Sequence, residues 1–227
     1  MNSVDRYYSQ RATYSNNLLF QVGKTVNGEP ISKQQLNLIV DAIENGLNLN
    51  YKDSLVDFGC GNGLLTNFIA PKVKVIVGIE INQALYEQAT RHVSHQNISL
   101  IHRDILCNSE YKFTFNKAFS YEVIQHLSYT EVEKIISNTI KLLPKGGLLY
   151  LGGIPDEQRK WNFYNTETRK SKLAETLLET GTDPVGTWFT QAFFSKIAER
   201  FSVSCELLKQ HPDLYTAHYR FDCLFRA

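Results

Sequence analysis

The sequence contains no long apolar run and no excess of charge of either sign. Its 227 residues include 24 lysines and arginines against 23 aspartates and glutamates, a formal net charge of +1. Proteins that bind nucleic acid usually carry a clustered basic face, so this balance gives no electrostatic case for such a partner. No stretch approaches the ~18 apolar residues of a membrane-spanning helix, and residues 1–8 lack a signal-peptide core. We expect a cytoplasmic protein with a small-molecule partner, no nucleic-acid partner and no membrane partner.

Cysteine is also scarce, and its spacing excludes the common metal motifs. The four cysteines, Cys60, Cys107, Cys205 and Cys223, have no CxxC spacing and form no cluster with histidines. His92 and His95 lie three residues apart, but the sequence offers no further ligands for a metal there. We predict no metal site and reduced thiols, with Cys205 and Cys223 on neighbouring strands as a thiol pair rather than a disulfide.

Strand and helix patterns alternate along the middle of the chain. Continuous apolar runs, typical of strands buried on both faces of a parallel sheet, are followed by stretches with helical periodicity. Two strand-like runs close the chain without a helix between them, which indicates an antiparallel hairpin. The pattern predicts an α/β, Rossmann-like, doubly wound sheet of seven strands, mostly parallel. The predicted strands are residues 54–58, 73–79, 98–101, 113–121, 147–151, 202–208 and 218–225.

Two Ser/Thr-x-x-Glu/Gln patterns predict helix starts. Ser32 with Gln35, and Thr130 with Glu133, have the spacing of a capping box. Gly46 is the predicted end of the first of these helices.

A glycine-rich turn follows the first predicted strand and opens a helix. It has the form Asp57-x-Gly59-x-Gly61-x-Gly63. Glycines there permit positive φ and let a ligand approach the backbone closely. The dinucleotide fingerprint Gly-x-Gly-x-x-Gly does not fit, because Leu64 and Thr66 occupy the positions where glycine is needed. Asp57 would repel a pyrophosphate and suits a ligand ammonium group.

Two further carboxylates follow the next two strands. Glu80 ends the second predicted strand and can accept hydrogen bonds from both hydroxyls of a ribose. Asp104 follows the third strand and can accept a hydrogen bond from an adenine amino group. Alternatively, Glu80 and Asp104 are each only a turn residue or a helix cap without a role in binding.

These residues, with residues 122–127 (EVIQHL), resemble the class I S-adenosylmethionine (SAM)-dependent methyltransferases. The resemblance covers about residues 35–153 and is greatest to the small-molecule branch, which includes ubiquinone and polyketide-sugar methyltransferases. It implies that SAM is the cofactor and that its methyl group moves to an O, N or C atom of a small molecule without a metal. The implied cofactor-binding residues are Asp57, Gly59, Cys60, Gly61, Gly63, Glu80, Ile81, Asp104, Ile105, Tyr121 and Glu122.

The resemblance also implies a lid and a cap around the acceptor. We predict an N-terminal lid at residues 1–30 and a methyltransferase domain at residues 31–227 with a cap insertion at about 154–188. His126 follows the fourth strand and is the predicted general base, because an ordinary histidine pKa near 6.5 suits that role. A structural histidine is the alternative. The predicted substrate-binding residues are Tyr8, Tyr14, Gln125, Trp161, Tyr164 and Trp188.

Other functions stay open at this point. They are a nicotinamide-dependent oxidoreductase, a catalytically silent SAM-binding partner subunit, and a SAM enzyme with chemistry other than methylation. The sequence is also compatible with a homodimer.

Overall fold

The fold is built on a seven-stranded sheet in the computed structural model, which describes residues 3–110 and 113–227. The large sheet contains β3 (Ser54–Phe58), β4 (Val75–Glu80), β5 (Ile98–His102), β6 (Lys117–Tyr121), β7 (Leu148–Pro155), β8 (Ser204–Lys209) and β9 (Arg220–Arg226). The strand order is β5-β4-β3-β6-β7-β9-β8. Pairs among β3 to β7 are parallel, whereas β9 is antiparallel to both β7 and β8. The predicted fold class is therefore confirmed.

Helices cover the sheet, and a short ribbon precedes it. The ribbon pairs β1 (Thr25–Val26) with β2 (Glu29–Pro30). The helices are α1 (Ser3–Tyr14), α2 (Leu18–Gln21), α3 (Lys33–Leu47), α4 (Leu64–Ile69), α5 (Gln83–His92), α6 (Tyr129–Leu142), α7 (Lys160–Phe163), α8 (Glu167–Thr180) and α9 (Gln191–Phe201). None of the helices formed by the described residues has both the length and the hydropathy to cross a bilayer.

The central strands β3, β6 and β7 are largely apolar and buried, because each face of the sheet has its own core. Side chains alternate along a strand, so Val56 and Phe58 of β3 point to one face and Leu55 points to the other. The first core includes residues of α6 and α9, and the second includes residues of α3 and α4. Burial on both faces explains why these central strands show no polar alternation in sequence, whereas the edge strand β8 is mostly exposed.

Two predicted helix boundaries are wrong. Helix α3 runs through Gly46 and ends at Leu47, with Asn48 in the left-handed conformation at φ 47°. Gly46 is needed instead for packing, since a Cβ there would lie 2.8 Å from the ring of Tyr150. Helix α6 is capped by Ser128 rather than by Thr130: Glu131 N donates to Ser128 Oγ, and the Glu131 carboxylate accepts from Ser128 N at 2.8 Å.

The start of the fourth parallel strand also differs from the prediction. β6 begins at Lys117 rather than at residue 113. Residues 113 and 114 precede it outside any helix or strand.

The closing hairpin brings two cysteines together. Cys205 Sγ lies 3.1 Å from Cys223 Sγ, across β8 and β9, and both are free thiols.

The cap segment has a small core of its own. After β7, which continues beyond the predicted residue 151 to Pro155, the chain forms α7 and α8. Tyr164, Leu173 and Trp188 are buried together with Tyr219 from the closing hairpin. The aromatic side chains of this segment are therefore largely used in packing the cap.

Candidate active site

A cavity of about 550 Å³ opens where the sheet order reverses, at the carboxyl ends of β3, β4 and β6. This reversal is the place where open α/β sheets bind ligands, because the connections leave in opposite directions and open a crevice. Most of the sequence-predicted cofactor residues line this one cavity. They are Gly59, Cys60, Gly61, Glu80, Ile81, Asp104, Ile105, Tyr121 and Glu122.

The glycine loop forms one wall, and its backbone requires glycine. Gly59, Gly61 and Gly63 have φ of 79°, 58° and 76°, a region that side chains with a Cβ rarely occupy. Space is restricted as well, since a Cβ on Gly59 would lie 2.6 Å from Val123 and one on Gly61 would lie 2.9 Å from Val22. The loop is thus shaped as a cradle whose bare backbone faces the cavity.

Glu80 connects the glycine loop to the start of α5. One carboxylate oxygen accepts from Gly61 N at 2.8 Å and the other from Asn82 N at 2.7 Å. The side chain is buried, and burial raises the pKa of Glu80 although these backbone N–H groups oppose the rise. Each oxygen has a second lone pair, so the carboxylate can still accept bonds from a diol in the cavity.

Asp57 and Gly63 lie behind the wall rather than on it. Asp57 accepts a hydrogen bond from Thr66 Oγ1 at 2.6 Å and is 2% exposed. Burial raises the pKa of Asp57 to about 7, with the negative charge of Glu80 adding to the rise and Lys24 opposing it. Gly63 is the N-cap of α4. Neither residue is part of the cavity lining, so any influence on a ligand acts through the loop or through charge.

Another part of the cavity wall is mostly apolar. Ile81, Leu85, Ile105 and Leu106 line it. Asp104 lies among them, and its Oδ1 accepts from Leu106 N at 2.8 Å. This combination can hold a flat, weakly polar ring with one carboxylate at its edge.

Glu122 stands at the end of β6 in a strained conformation. Its φ is 58°, unusual for a residue with a side chain, and Gly153 leaves room for it because a Cβ there would lie 2.5 Å from Glu122 Cγ. Lys24 Nζ donates to its Oε2 at 2.7 Å, and Tyr215 Oη donates to its Oε1 at 3.3 Å. Burial acts to raise the pKa of Glu122, but Lys24 and Arg220 outweigh it and hold the pKa below its usual value.

His126 lies in a short 3₁₀ turn, Ile124–His126, and lines the cavity. Its Nε2 is 3.1 Å from Tyr8 Oη. Burial, aided by the Arg220 cation, lowers the pKa of His126 to about 4, while Glu122 opposes the shift. The surroundings therefore favour the neutral imidazole, and they lower the pKa of His126 from the ordinary value near 6.5 because of burial, which the sequence does not reveal.

Of the predicted substrate-binding residues, the structure brings only Tyr8 to the cavity. Tyr14 and Trp161 are 81% and 65% exposed. Tyr164 and Trp188 are buried in the cap core. Gln125 is also buried: its side chain accepts a hydrogen bond from Arg220, and its backbone oxygen accepts from Thr187 N. Tyr164 and Trp188 thus pack within the cap instead of lining the cavity.

The N-terminal segment also contributes residues to the cavity wall. Val4, Asp5, Val22 and Lys24 line the cavity. Two asparagines hold the segment in place. Asn62 Nδ2 donates to Leu18 O and Gln21 Oε1, at 2.9 and 2.8 Å, and Asn82 Nδ2 donates to Asp5 and to Ser9 Oγ. These contacts join residues 41 to 77 positions apart, so no local sequence signal could have revealed them.

Comparison with known proteins decides the family. The model of the ribosomal RNA adenine dimethylase family matches residues 32–170, more than half of the chain. The chain belongs to this family of SAM-dependent methyltransferases. This assignment confirms the resemblance drawn from the glycine loop and its two partner carboxylates.

Individual relatives differ in the acceptors that their names give. A ubiquinone biosynthesis O-methyltransferase from Bartonella tribocorum is 28% identical over 48% of this chain and 44% of its own length. A ribosomal RNA small subunit methyltransferase A from Ureaplasma parvum is 26% identical over 49% of this chain and 40% of its own length. The chain thus spans less than half the length of these curated relatives.

A solved methyltransferase shares the fold along almost the whole chain. Magnesium protoporphyrin IX methyltransferase from Synechocystis, with S-adenosylhomocysteine (SAH) bound, matches with a TM-score of 0.63. The match covers 99% of this chain and 95% of that one at 18% identity. Both the N-terminal segment and the closing hairpin are therefore compatible with the methyltransferase fold.

Proposed function

We propose that this chain transfers the methyl group of SAM to an oxygen, nitrogen or carbon atom of a small-molecule acceptor, without a metal. The observation that carries the proposal is the convergence of the bare glycine loop, Glu80 and Asp104 on one cavity of about 550 Å³. That volume lies in the usual range for small-ligand sites. Bound SAM supplies an electrophilic methyl carbon on a sulfonium, whose bonding electrons return to sulfur when the acceptor attacks.

The chain's own residues provide binding and orientation. Gly59, Cys60 and Gly61 face the cavity with backbone and would hold the methionine end, with the charge of Asp57 behind them. Glu80 would accept bonds from the ribose hydroxyls, and Asp104 with Ile105 would take the adenine. The remaining wall, which includes Tyr8, Val123, His126 and Leu127, would face the acceptor. We assign the N-terminal segment the role of a lid, since α1 supplies part of this wall; residues 1 and 2 of the predicted lid lie outside the described residues.

Ribosomal RNA is the second candidate acceptor, favoured by the family model and by one group of relatives. An RNA enzyme must reach a flipped base while basic side chains neutralise the neighbouring phosphates. The charge around this cavity disfavours that arrangement. Among the described lining residues the only lysine or arginine is Lys24, which is paired with Glu122, whereas five are acidic: Asp5, Glu80, Asp104, Glu122 and Glu131. We therefore favour a small, uncharged or cationic acceptor.

Two measurements test the proposal. Calorimetry should show saturable binding of SAM and SAH but not of NADH, and Gly61→Val should abolish it. Transfer of tritium from methyl-labelled SAM should then be measured with a panel of small hydroxyl and amino compounds and, separately, with a transcript of small-subunit ribosomal RNA. A folded protein that does not bind SAM refutes the proposal. Methylation of the RNA transcript alone would replace the small-molecule acceptor by RNA, and SAM binding without transfer to either would favour a silent partner subunit.

A homodimer and a cytoplasmic location stay predictions. Sedimentation of the purified chain across a concentration series tests the first, and fractionation of the source cells tests the second.

A further inference from the structure

Tyr8 and His126 form a hydrogen-bonded pair in the wall of the cavity. Tyr8 Oη lies 3.1 Å from His126 Nε2, and the two rings meet edge to face, with centroids 5.6 Å apart and planes at 82°. Both residues line the cavity, although 118 positions separate them in sequence. The tyrosine hydroxyl is therefore hydrogen-bonded to Nε2, the ring nitrogen that could otherwise take a proton directly from the methyl acceptor.

Tyr8 is held firmly in this position. Its ring packs on the turn after α2, where a Cβ on Gly23 would lie 3.7 Å from Tyr8 Cε1, and the ring of Tyr7 meets it edge-on at 5.1 Å. Helix α1 is anchored further by Asn82, which donates to Ser9 Oγ at 2.9 Å. To reach Nε2 directly, the methyl acceptor would have to displace the Tyr8 side chain.

We propose that Tyr8 is a second catalytic residue, which takes the proton of the acceptor while it passes its own proton to His126 Nε2. This proposal rests on the methyltransferase function proposed above. The acceptor O–H or N–H bond breaks, and its electron pair stays on the acceptor atom, which has formed the new bond to the methyl carbon. The proton bonds to Tyr8 Oη as the original tyrosine proton moves to Nε2. Tyr8 ends neutral, and His126 ends as an imidazolium.

The surroundings favour a concerted transfer over a stepwise one. Burial is the main cause that raises the pKa of Tyr8, with the charges of Glu122 and Glu80 adding to it, so a free tyrosinate is disfavoured. Burial also holds His126 neutral before the reaction. The charged groups that act on His126 are Glu122 at the end of β6, which stabilises the imidazolium, and Arg220 of β9, which opposes it. If the two protons move together, no buried tyrosinate forms beside the imidazolium, and the cost of burying that additional charge is avoided.

The first test needs no acceptor. In SAH-bound protein labelled with ¹⁵N-histidine, two-dimensional spectra identify which ring nitrogen carries the proton, and His126→Asn assigns the signals among the six histidines. We expect Nε2 without a proton at pH 7, accepting the bond from Tyr8, and a changed Nε2 shift in Tyr8→Phe. A proton on Nε2 in the wild type would overturn the proposal, because that nitrogen could not receive another.

The second test is kinetic, with catechol as the first acceptor probe and the neutral alcohols, phenols and amines of the panel after it. Tyr8→Phe should leave SAM affinity within twofold but lower kcat by roughly 10²-fold or more, the usual effect of losing an acid–base group. His126→Asn should have a similar effect, and the double variant should be hardly slower than the slower single variant, because one proton path is lost in each case. Tyr51→Phe is the matched control, since Tyr51 is 74% exposed and does not line the cavity, and it should stay within twofold of wild type.

The outcomes separate the two proposals. A wild type that does not bind SAM refutes the proposed function itself. An active wild type with a Tyr8→Phe variant of normal kcat, or with additive losses in the double variant, refutes the relay and leaves the function intact. If SAM binds but no probe is methylated, the position of the imidazole proton decides the relay on its own.

Discussion

Replacement of Glu80 separates the structural role of this carboxylate from its role in binding. The side chain is 7% exposed and accepts bonds from Gly61 N and Asn82 N. Glu80→Ala leaves both N–H groups without a partner. Glu80→Gln keeps one carbonyl oxygen as an acceptor for one of them. Both variants lose the charged acceptor that the ribose hydroxyls would use.

The expected magnitudes follow from these bonds. A buried N–H without a partner costs about 1–3 kcal/mol, and water in the cavity relieves part of this, so Glu80→Ala should lose about 2–3 kcal/mol of unfolding free energy. In a domain of this size that lowers Tm by about 4–12 °C, whereas Glu80→Gln should lose about 1 kcal/mol and about 2–4 °C. Loss of the charge-assisted bonds should weaken SAM binding by about 1–3 kcal/mol, which is about 5- to 150-fold in Kd.

Differential scanning calorimetry without ligand and titration calorimetry with SAH measure the two effects independently. Glu87→Gln is the matched control, because Glu87 is a solvent-exposed glutamate on α5, and its effect should stay within about 0.5 kcal/mol. An unchanged Tm in Glu80→Ala would show that the carboxylate does not connect the two backbone segments. An unchanged SAH affinity in folded Glu80→Gln would show that it does not contact the ribose.

Three further predictions concern charge. Burial lowers the pKa of His126 to about 4 in the folded chain, whereas the unfolded chain keeps the ordinary value of about 6.5. The contribution of the neutral imidazole to the free energy of unfolding is therefore complete above pH 6.5 and is lost as pH falls toward 4. Between pH 7.5 and pH 5, denaturant titrations should show the wild type losing about 2 kcal/mol more unfolding free energy than His126→Asn, and equal losses would contradict the burial of the imidazole. Burial raises the pKa of Asp57 to about 7, so Asp57 should release a proton when the cationic cofactor binds near pH 6.5. The buffer takes up this proton, so the measured enthalpy of SAM binding should depend on the ionisation enthalpy of the buffer in the wild type. The dependence should be much weaker in Asp57→Asn. Lys24→Met removes the ion-pair partner of the buried Glu122 and should lose about 3 kcal/mol of stability, since the hydrogen bond from Tyr215 and the charge of Arg220 remain. Lys72→Met, in a more exposed pair with Glu44, should lose about 0–1 kcal/mol. Similar losses in the two variants would argue against the buried pair.

The sequence by itself determined the fold class and many of the residues that line the cavity. Apolar runs identify strands buried on both faces, and the glycines at 59, 61 and 63 identify a loop with positive φ, because both features depend on residues near each other in the chain. Glu80 and Asp104 could be placed beside that loop because parallel strands end at the same edge of the sheet. The spacing of these residues was therefore enough to predict the family that the comparisons confirm.

Only the tertiary structure decided the rest of the cavity wall and the packing of the cap. Tyr8 meets His126 across 118 residues and Lys24 meets Glu122 across 98, and no local periodicity records such contacts. The cap aromatics have the composition of a binding wall, yet Tyr164 and Trp188 pack against Tyr219 instead. The pKa of His126 depends on burial under α1 and on Arg220 from the last strand. Backbone preferences are properties of neighbouring residues, whereas burial and electrostatic environment exist only after distant segments have packed together.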